Sequence, residues 1–326
     1  MPYHTECSRD GSDARLLCSV CIPVYNEAEC LHIFLADLLA TIASYQKVKD
    51  IDFEVIAVDD GSRDQSLEIL KHYSDLDKSF RVFAFEQNSG HQAAILCCLN
   101  HADGDIIITM DSDGQDPPES IPALLDTFIE SKNEIVIAKR RSRKDGLVKK
   151  VTAWLFYRLL TILGLPSESR DSGDYRLISR RIKNLILAQP NSLQYIRGQI
   201  FTLKAPTRFI CIDRKERIAG RTKYTLSKMI KLAISSAYVI DPLKVAQVYI
   251  TMAALFSVIS GAIAVAFIAT KIMVPTYYAS GITTLVILLL FLFSVVISMI
   301  AFQSLYISML FRSLRNEPAY LEKEVQ

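Results

Sequence analysis

Two aspartates one residue apart, Asp111 and Asp113, close the apolar run DIIITM and are followed by Gly114, Gln115 and the pair Pro117-Pro118. Carboxylates on such a turn can share one divalent cation, and Mg²⁺ or Mn²⁺ takes hard oxygen ligands of this kind together with substrate phosphates. Gln115 can add a carbonyl oxygen or orient a metal-bound water. A lone Asp-x-Asp is also ordinary solvated turn chemistry; the apolar run before it and the prolines after it favour the metal reading. A second pair, Asp59-Asp60, closes FEVIAV and precedes Gly61-Ser62. Two readings fit this pair. It is turn chemistry with Ser62 capping the next helix, or a carboxylate that accepts hydrogen bonds from a nucleotide base or ribose. His91 follows Ser89-Gly90 at a predicted helix start. There it either neighbours a phosphate or caps and solvates the helix end, and the second is expected. Cys18-x-x-Cys21 lies inside an apolar run with no partner pair, which predicts core packing rather than zinc. Neither GxGxxG nor a Walker sequence occurs, which argues against dinucleotide oxidoreductases and P-loop NTPases.

These groups are placed by alternating strand and helix signals over residues 16–235. The predicted strands are LLCSVCIPVY, FEVIAVDD (53–60), RVFAFEQ (81–87), DIIITMDSD (105–113) and EIVIAKR (134–140). The predicted helices between them cover 28–45, 63–75, 91–102 and 120–130. Strands without polar alternation imply a parallel sheet covered on both faces. The expectation is a doubly wound α/β domain that binds ligands at the carboxyl ends of its strands. Both acid pairs, Asn88-Ser89-Gly90 and Lys139-Arg140-Arg141 all fall at such ends.

The chain has 326 residues, with 37 Lys+Arg against 35 Asp+Glu, and a net charge of +2 gives no global basic field for nucleic acid. Seven cysteines at irregular spacing suit a reducing compartment rather than a disulfide framework. The first residues are polar, so no cleavable signal peptide is expected. Two uncharged runs, 245–270 and 277–311, each exceed the roughly 20 residues that span a bilayer, and predict two transmembrane helices. Arg214, Lys215, Arg217, Arg221, Lys223, Lys228, Lys231 and Lys244 precede the first run. Arg312 and Arg315 follow the second, and only Lys271 lies between. That asymmetry predicts both ends on the cytoplasmic side and an anchor rather than a transporter. Residues 222–240 have helical apolar spacing with lysines on the other face, as in an interfacial helix on an anionic leaflet or an ordinary amphipathic surface helix; the position before a span favours the first.

The segments IPVYNEAE, VDDGSRDQS, NSGHQAAI, MDSDGQDPPE, DSGDYRLISRR and RKERIAGRTKY occur in the order found in family-2 glycosyltransferases. Over about residues 18–235 the chain resembles the polyprenyl-phosphate glycosyltransferases of that family, the dolichol-phosphate mannose synthase and bactoprenol glucosyltransferase kind. The resemblance implies a GT-A-like domain in which Pro23, Tyr25 and Glu27 cradle the nucleotide and Asp60, with Asp59, reads the base. Asp111 and Asp113 would bind the metal and donor diphosphate, with Gln115 at the third metal position. Arg140 and Arg143 match a basic pair near the donor and acceptor phosphates. Asp171 to Arg176 matches the acceptor-loop motif, and Arg214, Arg217 and Lys223 match a basic segment facing the lipid phosphate. Within that set Asp113, Asp174, Arg140 and Arg176 are the expected catalytic group; Asp174 or Asp171 is either a base or a support for Arg176. Tyr175 stands where Phe is frequent, and Arg221-Thr222 where a small or acidic residue often precedes Ser, which leaves the sugar open.

The implied activity is inverting, metal-dependent transfer of a hexose, in first place glucose from UDP-glucose, to undecaprenyl or a similar polyprenyl phosphate at the cytoplasmic face of a bacterial-type inner membrane. GDP-mannose, UDP-GlcNAc and a UDP-aminoarabinose derivative are the alternative donors. A processive polysaccharide synthase is disfavoured, because Trp154 sits in VTAWLFYRLL and not in a QxxRW motif. A non-catalytic nucleotide-sugar sensor is disfavoured by the retained acids and bases. The expected layout is a polar tail (1–15), the transferase domain (16–220), an amphipathic segment (221–244), the two-helix anchor (245–311) and a cytoplasmic tail (312–326). A homo-oligomer is expected through the anchor, with membrane lipids as neighbours.

Overall fold

LLCSVCIPV is apolar at every position but Ser19, and IDFEVIAVD at all but Asp52, Glu54 and Asp59, so both strands need cover on both faces. They pair in parallel as Leu16–Val24 (β1) and Ile51–Asp59 (β2), and both end fully buried. The computed structural model describes residues 15–140, 172–189 and 196–213, single positions between 247 and 310, and tail residues 319–323 and 325. Around the central pair lie Phe80–Phe85 (β3), Ile106–Thr109 (β4), Ile135–Arg140 (β5), Ser172–Ser179 (β6), Thr207–Ile212 (β7) and Glu322–Lys323 (β8). The sheet order is β7-β5-β6-β4-β1-β2-β3-β8. β1 to β5 and β7 run one way; β6, inserted between β4 and β5, and the tail strand β8 run the other.

Helices cover both faces, as the continuous apolar strands require. On one face Ala28–Gln46 (α1), Ser66–Leu76 (α2) and Ile121–Glu130 (α4) supply Leu31, Phe34, Leu38, Leu70 and Leu124 to one core. On the other, His91–His101 (α3), Arg180–Leu187 (α5) and Ile196–Thr202 (α6) supply Ile95, Leu99, Ile182, Ile186 and Ile200. Among the described residues α1 is the one helix long and apolar enough to cross a bilayer. Its apolar face, Cys30, Leu31, Phe34, Leu35, Leu38 and Ile42, is buried in this core. Cys18 and Cys21 are fully buried, as the strand reading expects.

The tail closes the far edge of the sheet. β8 pairs antiparallel with β3, Tyr320 stacks on Phe85 at 4.8 Å and 13°, and the Asn100 amide donates to the Tyr320 hydroxyl at 2.7 Å. Glu322 lies 2.9 Å from His101 Nε2 and accepts from the Cys97 thiol at 3.5 Å. The two predicted spans fall largely outside the described residues. Those positions within 247–310 that are described are helical at every one, and Leu255, Val258, Val265, Ile272 and Phe293 among them are exposed.

Candidate active site

The carboxyl ends of β1 and β2 are stitched together by their own turn residues. After β1 the chain turns through Tyr25, which is exposed, and Asn26, held in left-handed backbone at φ 52°. Asparagine tolerates that conformation because its short amide bonds locally, and here its Oδ1 accepts from the Arg63 N–H at 2.8 Å. Ser62 Oγ and Ser66 Oγ accept from the Asn26 and Glu27 N–H groups at 2.9 and 3.0 Å. Asp59 Oδ2 accepts from the Ser62 N–H at 3.0 Å, while its Oδ1 is buried with no hydrogen-bond partner among the described residues. Asp60 is used differently. Its carboxylate accepts from Asn88 Nδ2 at 2.9 Å, the Ser89 N–H at 2.7 Å and the Gly90 N–H at 3.0 Å. Burial pushes both carboxyls above their ordinary range, and the amides of Ser62, and of Ser89 and Gly90, pull the other way.

The Asp-x-Asp turn lies beside this edge, after β4. Asp111 gives its N–H to buried Asp116 at 3.1 Å, and Asp113 Oδ1 accepts from the Gln115 N–H at 3.0 Å. Ser112 Oγ donates to the Pro23 carbonyl at 3.0 Å, and the Cys30 thiol donates to the Ser112 carbonyl at 3.6 Å and to a Glu27 carboxylate oxygen at 3.4 Å. The turn is therefore fixed against Pro23 and Glu27, the residues expected at the nucleotide. An all-oxygen donor set of Asp111, Asp113 and Gln115 fits Mg²⁺ or Mn²⁺ and would suit neither copper nor a thiolate-bound zinc.

From behind, β6 clamps the same turn. Tyr175, buried, donates its hydroxyl to the Pro117 carbonyl at 3.1 Å, and Thr109 Oγ1 donates to the Asp174 carbonyl at 2.5 Å. The β5–β6 register shifts here, Ile137 facing Arg176 and Lys139 facing Ser172, so that Gly173 to Tyr175 oppose Ala138 alone. Bulges of this kind re-aim side chains beside active sites. Asp174 and Arg176 are 4% and 2% exposed and paired with each other. Of the two roles expected of Asp174, a base or a support for Arg176, this pairing is the geometry the second requires.

His91, expected to cap or solvate a helix end, opens α3. Its ring is 44% exposed there. Its Nε2 lies 3.3 Å from Asp174 Oδ2 and 3.4 Å from Asp111 Oδ1. No local signal reveals this, because the partner strand β6 lies some eighty residues away in sequence.

Of the expected site residues, Pro23, Tyr25, Glu27, Asp59, Asp60, Asp111, Asp113, Gln115 and Asp174 converge at one edge of the sheet. Arg140 is the last residue of β5, level with Ile212 of β7. Arg143, Asp171, Arg214, Arg217 and Lys223 lie outside the described residues.

A mostly parallel, doubly covered sheet with an acidic turn at its carboxyl edge is the architecture of GT-A-type glycosyltransferases. The chain belongs to glycosyl transferase family 2, whose profile matches residues 19–192, and it is a glycosyltransferase. It is 34% identical to the glycosyltransferase YkcC of Bacillus subtilis over 70% of each chain. It is 29% identical to the SfII prophage-derived bactoprenol glucosyl transferase of Shigella flexneri, over 94% of this chain and 97% of that one. The crystal structure of mannosyl-3-phosphoglycerate synthase from Rubrobacter xylanophilus superposes with a TM-score of 0.51 at 15% identity, covering 69% of this chain and 72% of that one, and shares the fold.

Proposed function

We propose that this transferase moves a hexose from a nucleotide sugar, in first place glucose from UDP-glucose, onto undecaprenyl or a similar polyprenyl phosphate at the cytoplasmic membrane face. The observation that carries this reading is the extent of the bactoprenol glucosyl transferase similarity. It runs over 94% of the chain, and so includes the uncharged C-terminal runs as well as the catalytic sheet.

The nucleotide lies along Pro23, Tyr25, Glu27, Asp59 and Asp60, where the buried Asp59 Oδ1 offers an unused acceptor. Asp111, Asp113 and Gln115 hold Mg²⁺ or Mn²⁺, which when bound neutralises charge on the departing diphosphate. The acceptor is a phosphate monoester with a second pKa of about 6, so near pH 7 it is already a dianionic nucleophile. An acceptor oxygen attacks the anomeric carbon, the bond to the diphosphate breaks, and the nucleoside diphosphate leaves. No enzyme nucleophile takes part, so configuration inverts. No strong general base is required, and Arg140 with Arg143, Arg214, Arg217 and Lys223 positions the lipid phosphate.

The layout follows the same reading: a transferase domain over 16–220, an interfacial segment over 221–244 and a two-helix anchor over 245–311 that self-associates. Two features support it. β8 joins the same sheet as β1, so the chain between them begins and ends on one side, as an even number of crossings requires. The described positions in that stretch also expose large apolar side chains from helical backbone, which suits lipid rather than water.

Purified full-length protein with UDP-[¹⁴C]glucose, polyprenyl phosphate and Mn²⁺ should put label into the organic phase. Label from a different donor only would replace glucose. Nucleotide binding without lipid label from any donor would contradict the acceptor.

A further inference from the structure

Asp111 and Asp174 come from different parts of the sheet, one from the turn after β4 and one from the antiparallel insert β6. Their facing oxygens lie within 4.8 Å of each other and of His91 Nε2. Two carboxylates this close repel, and the His91 ring stands beside both, hydrogen-bonded to Asp174 at 3.3 Å and 3.4 Å from Asp111 Oδ1. His91 is well mounted for that task. It opens α3, and the preceding Gly90 is held by two contacts to the buried Asp60. Asp174 is gripped on its other sides, by Arg176 at Oδ1 and by Thr109 at its carbonyl. Arg176 is buried, whereas the His91 ring is 44% exposed and stands at the open edge.

We propose that His91 is a positioning residue whose Nε2–H, hydrogen-bonded to Asp174 and standing 3.4 Å from Asp111, sets the spacing between the donor edge of the sheet and β6. What those acids serve rests on the transferase reading above; how His91 joins them rests on the geometry alone. A carboxylate only accepts, so the hydrogen bond to Asp174 calls for the ring proton on Nε2.

Selective ¹⁵N-histidine labelling of the full-length protein gives an imidazole spectrum of five residues, in which His91→Gln assigns the signal. The proton is expected on Nε2, and the Nε2 resonance should move in both Asp111→Asn and Asp174→Asn but not in the remote Asp103→Asn. A proton on Nδ1, or a ring unmoved by both variants, would overturn the proposal. This spectrum needs no substrate, so it decides the point whatever sugar or lipid is used. In the transfer assay His91→Ala should lower kcat about 10- to 100-fold with donor KM little changed, the scale of a small misplacement of reacting groups. His91→Gln, which keeps an N–H donor, should recover most of it. Added to Asp174→Asn, His91→Ala should cost little more, since residues acting as one unit are non-additive. Fully additive losses, or a defect confined to donor KM, would contradict it.

Discussion

Gly61→Ala tests how the nucleotide edge is built. Gly61 sits at φ +67°, and a Cβ there would lie 2.7 Å from the Gln87 carbonyl carbon, 2.8 Å from the Asn88 nitrogen and 3.0 Å from Gln87 Cα. All three are backbone atoms, so no side-chain rotation relieves the clash. Left-handed backbone costs an L-residue about 1–2 kcal/mol, and forced overpacking about 1–3 kcal/mol. The sum, about 2–5 kcal/mol, corresponds to a fall in Tm of about 4–20 °C for a domain of this size. The displaced segment, Gln87 to Gly90, is the one that grips Asp60, so UDP affinity should fall about tenfold, a change worth about 1.4 kcal/mol. Gly90→Ala is the control. Gly90 has φ +100° but nothing within 4 Å of a Cβ, so it feels backbone strain of about 1–3 kcal/mol and no collision. Thermal unfolding and calorimetric UDP titration read both variants. A Gly61→Ala protein that melts and binds UDP like wild type would rule out the clash, as would a Gly90→Ala protein that falls further than Gly61→Ala.

Tyr320→Ala should release the tail, since it removes the stack on Phe85 and the Asn100 bond, together about 1–3 kcal/mol. Hydrogen exchange at Leu321 to Lys323 should speed up while exchange in β1 does not; unchanged tail protection would show that β8 holds without it. Burial pushes the Asp59 carboxyl above its ordinary 3.8, so the folded state binds that proton more tightly than the unfolded chain. Its stabilising contribution is complete below the unfolded value and is lost as pH rises through the folded one. The Tm of Asp59→Asn relative to wild type should therefore climb as pH rises above about 4, and a flat or falling difference in melting scans would reject the sign. Arg217→Ala is predicted to raise KM for the lipid phosphate about tenfold or more, as loss of one charge-assisted contact would. A change in nucleotide affinity alone would remove that segment from the acceptor side.

The parallel strands were legible because apolar runs without polar alternation stopped at acids. The same signal placed Asp59, Asp60, Asp111 and Asp113 at the strand ends. The antiparallel insert was not legible. Ser172–Ser179 reads as a polar motif rich in charge, and it becomes a strand because Asp174 and Arg176 neutralise each other inside the sheet. Missing β6 also hid the contact of His91 with Asp174, which depends on β6 lying beside β4. Nor did the sequence separate the two acids of the Asp59-Asp60 pair. Asp60 holds Asn88 to Gly90, whereas Asp59 keeps a buried oxygen without a partner among the described residues. The tail strand escaped notice because two residues, Glu322–Lys323, carry no periodicity; their pairing is set by Tyr320 and Glu322 finding Phe85, Asn100 and His101.

The central claim is sugar transfer to a membrane-held phosphate by a metal-binding acidic turn. The direct measurement is label passing from a panel of UDP- and GDP-sugars into organic-extractable lipid, with wild type, wild type plus EDTA, and Asp113→Ala side by side. Wild type should put label into the lipid, lost with EDTA and lowered about 10³-fold or more in Asp113→Ala, whose Tm stays near that of wild type. Label that persists in EDTA and in Asp113→Ala would contradict it.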